Sequence, residues 1–446
     1  MFDLILRGGS VVDTDAVRPL DLAIDGGKIA ARLAPGEPAQ AVTVLDVSGL
    51  LLMPGLVDAH VHLREPGMTW KEDFASGTRA AAAGGVTTVL VMPTDDPWTV
   101  STADFTAKQA LAQGRIACDV GLQVAVSGDG QDLAELRRLG ATSFEIFTSD
   151  VQPQFLHGTT RSLHSAIAAV AAAGGTAAVS SGDQSLLEAA VAGLVQGRST
   201  PADFIASRSA LAEAQGIARV ILAAADVGVP VHIRQTSSRQ SVDTYRRLRD
   251  LADVSIETGV QGLLFTQADY ARLGPMAKAS PPWRAETDRD ALRAALADGT
   301  IDMVVTDHAP HLLQEKLASA DDFAAVPGGF PGLQTLLPAL LSLVDDGLIQ
   351  MNDLVRLAST RPAQRFGLGS YKGRLSVGYD ADVIVIDPRR RSTVRTADQL
   401  SKSAYTPFEG LSVSAVLDRV FLRGREVARA GTPVGDPVGA ILMPEV

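Results

Sequence analysis

Between residues 56 and 307, short apolar runs alternate with amphipathic stretches, and that alternation limits what this 446-residue chain can fold into more than any other feature. Eight runs have strand character: 56–62, 86–92, 118–126, 143–148, 176–180, 230–236, 253–258 and 301–307. Segments such as 71–83, 163–173, 208–226 and 286–297 between them carry a helical period. Strand followed by helix, repeated, predicts a parallel sheet with crossover helices. Eight such units closing on themselves make a (β/α)8 TIM barrel, whose chemistry sits at the C-terminal ends of the strands. An open doubly wound sheet is the competing topology, and it would separate the first and last strands.

Residues 3–52 have a different texture, with short strands such as Leu4–Leu6, Ser10–Val12, Leu22–Ile24 and Val42–Leu45 punctuated by Gly8-Gly9 and Gly26-Gly27. The strands 381–387 and 416–422 resume it after a helical stretch near 352–367. The expected organisation is a barrel over 53–368 beside one β unit built from 1–52 and 369–446, which brings the termini together. A net charge of −11 argues against nucleic acid or anionic membrane as partner, and Cys118 alone excludes an intrachain disulfide or a Cys-rich metal site. The start lacks the pattern of a signal peptide and no apolar run reaches spanning length, so the cytoplasm is the expected compartment.

His60 and His62 fall where the first barrel strand ends, two residues apart on an apolar strand and therefore expected on one face. Two imidazoles buried together need a partner, and neutral imidazole is a common ligand for Zn²⁺ and related ions. The plainer alternative is a pair of hydrogen-bonded core histidines. Asp307 falls at the end of the eighth strand, and in a closed barrel the first and eighth strands are neighbours, so Asp307 is expected to converge on the two histidines. Arg64, two residues beyond His62, is expected to face the same pocket by strand alternation.

Several longer motifs accompany these residues: His60-Val61-His62-Leu63-Arg64-Glu65-Pro66-Gly67, Gly84 to Pro93, Ser280-Pro281-Pro282-Trp283-Arg284, Thr306-Asp307-His308-Ala309-Pro310-His311, Pro327 to Leu333, and Lys372-Gly373-Arg374 with Gly378 to Asp382. In this order the chain resembles the cyclic amidohydrolases of the amidohydrolase superfamily, nearest dihydroorotase, with allantoinase and hydantoinase as relatives. The resemblance implies a barrel with a small β-sandwich made from both termini, and self-association into a homo-oligomer. It also implies two metal ions. One is held by the His-x-His pair and the Asp after strand eight, the other by a His on strand five and a His on strand six, bridged by a carboxylated Lys or an acid from strand four.

The chain departs from that set. Glu145 stands where the strand-four Lys would be, Ser180 where the strand-five His would be, and Gln235 where the strand-six His would be; His232 lies three residues early, in the body of its strand. Both ligands private to the second ion are gone, while those of the first remain. The expectation is therefore a single ion, Zn²⁺ or another divalent metal, held by His60, His62, Asp307 and Glu145, with Asp150 as the alternative acid. Asp307 is the expected proton carrier. By the same resemblance Arg64 and His311 are expected to bind a substrate carboxylate, and Thr94 replaces a substrate-binding Asn. The implied activity is hydrolytic opening of a small cyclic amide. The competing readings are a non-catalytic scaffold that kept the barrel, and an allantoinase- or hydantoinase-like or lactone or imide hydrolase using the same site. The segment 312–330, with Gly328-Gly329, has the length of a lid over the barrel mouth.

Overall fold

The computed structural model describes residues 1–128, 130–194 and 197–445. Eight parallel strands, Leu56–Val61, Val86–Val91, Asp119–Ala125, Ala141–Phe147, Ala177–Ser180, Val231–Ile233, Val254–Gly259 and Met303–Val305, neighbour one another in chain order. Just beyond the eighth strand, His308 bridges in parallel to Val61 of the first, and the His62 amide donates to the His308 carbonyl at 2.7 Å, so the sheet closes. The chain is thus a (β/α)8 barrel. Its strands are buried on both faces, one against the barrel interior and one against the helices, which is why they read as near-continuous apolar runs such as Val86-Thr87-Thr88-Val89-Leu90-Val91.

Helices follow where an N-cap precedes the apolar stripe. Asp73, Thr159 and Ser209 accept from backbone amides at the starts of Phe74–Ala83, Thr160–Ala172 and Ala210–Val227. Inside the barrel, Val57, Ala59, Leu90, Ala178, Met303, Val305 and Phe366 pack into an apolar floor. The other inward side chains are polar. Gln123, Ser143, Glu145, His232, Arg234 and Glu257 are fully buried in the interior.

The two ends of the chain interleave in a second unit. Leu51–Pro54 lies between Val383–Asp387 and Ser10–Val12 in a seven-stranded sheet, and a four-stranded sheet has the order Lys28–Leu33, Asp21–Asp25, Phe2–Arg7, Ala41–Asp46. Leu4, Leu6, Val11, Leu52, Val383 and Phe421 fill one core shared by strands of both sheets. Where this unit meets the barrel, the Lys372 ammonium sits among Asp119 (2.5 Å), Asp382 (2.7 Å) and Asp380 (2.8 Å). Those three acids cluster closely enough for a cation, and Lys372 supplies it. Among the described residues, no helix is long and apolar enough to cross a membrane.

Candidate active site

A cavity of about 320 Å³ opens at the C-terminal ends of the strands, lined by His60, His62, Arg64, Gln235 and Asp307 among others. The pairing register slips between Asp58 and Val61, yet both imidazoles reach one point. Their rings lie 5.5 Å apart, and the Nε2 atoms of His60 and His62 are each 3.4 Å from Asp307 Oδ1. The other ring nitrogens are engaged: His60 Nδ1 meets Glu257 Oε1 at 2.6 Å, and His62 Nδ1 meets Thr94 Oγ1 at 2.8 Å. Each Nε2 is therefore free to present a lone pair.

Tetrahedral Zn²⁺ with bonds of about 2.0–2.1 Å needs donors roughly 3.3–3.4 Å apart, and the two imidazole-to-carboxylate separations of 3.4 Å match that spacing. The three residues fit one ion. Burial opposes the imidazolium of His60, but Asp307 and Glu257 outweigh it and hold its pKa above the ordinary value. For His62, burial aided by the Arg64 charge prevails over Asp307 and brings the pKa down to about 4, so this ring is neutral at pH 7.

The backbone is strained around the same cavity. Among the described residues, seven non-glycine residues have positive φ, and four of them, Arg64 (60°), Asp150 (59°), Gln235 (54°) and Asp307 (50°), line it, at the ends of strands one, four, six and eight. Such conformations cost of order 1–3 kcal/mol each and cluster where a site must aim its side chains.

Glu145 does not join the ligands. Its Oε1 accepts from Arg234 Nη2 at 2.7 Å and its Oε2 from Arg234 Nε at 3.2 Å, a two-point pairing that holds the carboxylate in the barrel interior. Asp150 lies on the cavity wall, paired with Arg208 at 2.9 Å, and is also outside the three-donor cluster. Gln235 Nε2 donates to Asp307 Oδ2 at 2.6 Å and to the Ser280 carbonyl at 3.1 Å. Ser180 lines the cavity. With Ser180 and Gln235 in place of imidazoles and Glu145 held by Arg234, the residues do not fit a second ion.

Thr94 is spent on His62 rather than on the cavity, because its hydroxyl is the hydrogen-bond partner of that ring. His311 lies behind the cavity wall, between the Lys71 ammonium (3.1 Å from Nδ1) and the Gly328 carbonyl (3.0 Å from Nε2). Burial first, then Arg64, Lys71 and Lys316, push its pKa down to about 2. A neutral ring that accepts at Nδ1 and donates from Nε2 satisfies Lys71 and Gly328, and Arg64 Nη2 also lies 3.2 Å from Nε2. Arg64 lines the cavity with its Nε donating to the Pro310 carbonyl at 3.2 Å, and among the described residues no carboxylate pairs with it. A buried guanidinium that Asp95, Asp307, Glu315 and Glu72 favour from a distance, with none of them at pairing distance, points to an anionic ligand.

Sequence reasoning missed Arg234 and Glu257. The available signal was a charged residue within the buried runs of strands four and seven and directly after strand six: Glu145, Glu257 and Arg234. The segment 312–330 is pinned. Lys316 Nζ donates to the Lys278 and Pro327 carbonyls at 2.8 Å each, and Lys278 Nζ donates to the Ala324 and Val326 carbonyls at 2.7 and 2.5 Å, which fixes the loop leading to Gly328 and Gly329 on the cavity wall.

A barrel carrying a His-x-His pair and an Asp at the last strand defines a hydrolase-type metal site. Residues 51–427 match the model of the amidohydrolase family, and the chain belongs to that family. It is 34% identical over 425 residues to a dihydroorotase from Methanosarcina mazei, covering 92% of this chain and 91% of that one. It is also 34% identical over 453 residues to an allantoinase from Rubrobacter xylanophilus, covering 100% and 98%. The L-hydantoinase (dihydropyrimidinase) from Arthrobacter aurescens superposes with a TM-score of 0.93 at 28% identity, over 99% of this chain and 100% of that one.

Proposed function

We propose that the protein is a metal-dependent hydrolase that opens a cyclic amide bearing a carboxylate, using a single divalent ion held by His60, His62 and Asp307. The convergence of two free Nε2 atoms on one carboxylate oxygen carries this reading. When bound, a divalent ion there supplies Lewis acidity at the ring carbonyl and acidifies water. Asp307 takes the proton of the attacking water on Oδ2 and returns it to the leaving ring nitrogen as the carbon–nitrogen bond breaks. Gln235 holds that same oxygen at 2.6 Å, fixing the carboxylate plane, while a second lone pair on Oδ2 remains for the proton. Arg64 binds the substrate carboxylate through its planar fork and so sets which ring face meets the ligand cluster.

The named activities of the relatives, on dihydroorotate, allantoin and hydantoins, supply the substrate panel. Protein purified without added metal is expected to carry about one equivalent of a divalent ion. His60→Ala is expected to lose both the ion and ring opening. Metal-free wild-type protein that folds identically and opens no ring would reject the proposal in favour of a scaffold. Within the panel, dihydroorotate, which carries a carboxylate, is expected to be opened with the lowest KM.

A further inference from the structure

We infer that Arg234 is a resident cation at the centre of the barrel, standing where a second metal ion would otherwise neutralise the buried acids, and that it positions His60 for the single ion. The inference rests on the one-ion reading above and extends it to a residue that touches neither metal nor substrate.

Every guanidinium N–H is used. Nη1 donates to the Ala59 carbonyl (2.9 Å) and Glu257 Oε2 (3.0 Å), Nη2 to Gln123 Oε1 (2.5 Å) and Glu145 Oε1 (2.7 Å), and Nε to Glu145 Oε2 (3.2 Å). The Arg234 side chain is fully buried, and so are Glu145 and Glu257. Two of these bonds lead to His60, each through one intermediate. The Ala59 carbonyl belongs to the peptide that leads into it. Glu257, gripped on Oε2, presents Oε1 to His60 Nδ1 at 2.6 Å. His232 Nε2 completes the carboxylate's shell at 2.9 Å, with its own Nδ1 2.8 Å from Ser255 Oγ. Backbone and ring of the ligand are thus fixed from below by one side chain.

The charges agree. Glu145 and Glu257 both pair with Arg234, so the acids beneath His60 already have a fixed positive partner. A second cation beside that guanidinium would meet like-charge repulsion, which is costly in low dielectric. Arg234 is therefore a positioning residue rather than a catalytic one.

The test compares wild type, Arg234→Met/Glu145→Gln and Glu257→Gln, with Glu145→Gln included because Arg234 is the cation paired with Glu145, whereas Glu257 keeps His60 and His232 as partners. The readouts are zinc affinity by competition with a chromophoric chelator and, in the metal-free proteins, the downfield proton resonance of His60 Nδ1–H held by Glu257. The expected result is a loss of zinc affinity of about 10- to 100-fold in Arg234→Met/Glu145→Gln, with loss of the resonance. Glu257→Gln is expected to do the same, and the combined triple variant to be little worse, because both act through one contact. Arg234→Lys should recover only part, since an ammonium cannot span the Ala59 carbonyl and both acids. Folded Arg234→Met/Glu145→Gln with zinc affinity within about threefold of wild type and the resonance intact overturns the inference while leaving the one-ion reading standing. If that variant does not fold, unchanged affinity in Glu257→Gln overturns it equally. Wild type that takes up no zinc overturns both.

Discussion

Replacing Thr94 by valine tests whether this residue serves the ligand or the substrate. The hydroxyl is 2.8 Å from His62 Nδ1, and among the described residues no other hydrogen bond holds that nitrogen. Valine keeps the shape and removes the partner. With the ring ligating through Nε2, Nδ1 carries a proton, and leaving it unpaired in a site where His62 is only 16% exposed costs about 1–2 kcal/mol. Because that hydrogen bond is needed in the metal-bound tautomer, the cost appears as a rise of about 5- to 30-fold in the zinc dissociation constant. Competition with a chromophoric chelator, starting from metal-free protein, measures it, and Thr94→Ser should restore most of the affinity. A substrate contact at Thr94 would behave differently, raising KM with zinc affinity untouched. Zinc binding in Thr94→Val within twofold of wild type would therefore refute the assignment of Thr94 to His62.

Three further perturbations separate substrate recognition, the domain junction and the pinned loop. Arg64→Met should raise KM for a carboxylated ring by about 10- to 100-fold, the worth of a charged hydrogen-bonded pair, and leave rings without a carboxylate nearly unaffected; equal losses on both in steady-state kinetics would contradict the assignment. Lys372→Met leaves Asp119 with Arg423 and Asp380 with Lys28 but takes from Asp382 its side-chain cation in the buried junction, and should cost about 3–5 kcal/mol in denaturant unfolding, with zinc affinity retained in the folded fraction. Lys316 is pushed by burial, then by Lys278 and Arg64, down to about 6 from 10.5. Between those values the unfolded chain binds the extra proton, so this residue's contribution to stability grows as pH rises and is lost as pH falls toward 6. Wild type should accordingly gain on Lys316→Met by up to about 1.4 kcal/mol per pH unit across pH 6.5–8.5 in denaturant midpoints, and parallel profiles would show that the ammonium is not buried.

The barrel was legible because its strands are buried on both faces and so appear as eight short, mostly apolar runs alternating with helical segments. The convergence of His60, His62 and Asp307 was legible for a topological reason: closure makes neighbours of the first and last strands. Glu145 was not. Its fate depends on Arg234, 89 residues away, and nothing local to strand four announces that a guanidinium will take both oxygens. Thr94 follows a buried strand, and whether its hydroxyl turns to the cavity or to a ring is decided by the His62 side chain, 32 residues earlier. His311 was expected on the substrate; in the structure its ring contacts Lys71, Gly328 and Arg64, and burial with the charges of Arg64, Lys71 and Lys316 keeps it neutral.

Adjacent residues on the sixth strand divide the task of replacing a second ion. Gln235, at the mouth, gives Asp307 Oδ2 a neutral donor, and Arg234, one residue deeper, gives the interior acids a fixed positive charge. Restoring imidazoles alone should therefore not restore a second ion. In Ser180→His/Gln235→His the two rings would stand at the positions the amidohydrolase resemblance implies, and a histidine tolerates the left-handed backbone at residue 235 better than most side chains. Glu145 would still be paired with Arg234 on both oxygens, so no carboxylate would be free to bridge, and the guanidinium charge would still oppose a second cation. Elemental analysis of this variant after zinc loading is expected to give about one equivalent, as in wild type. Two tightly held equivalents would mean that the ligands alone set the metal count, and that the buried guanidinium does not.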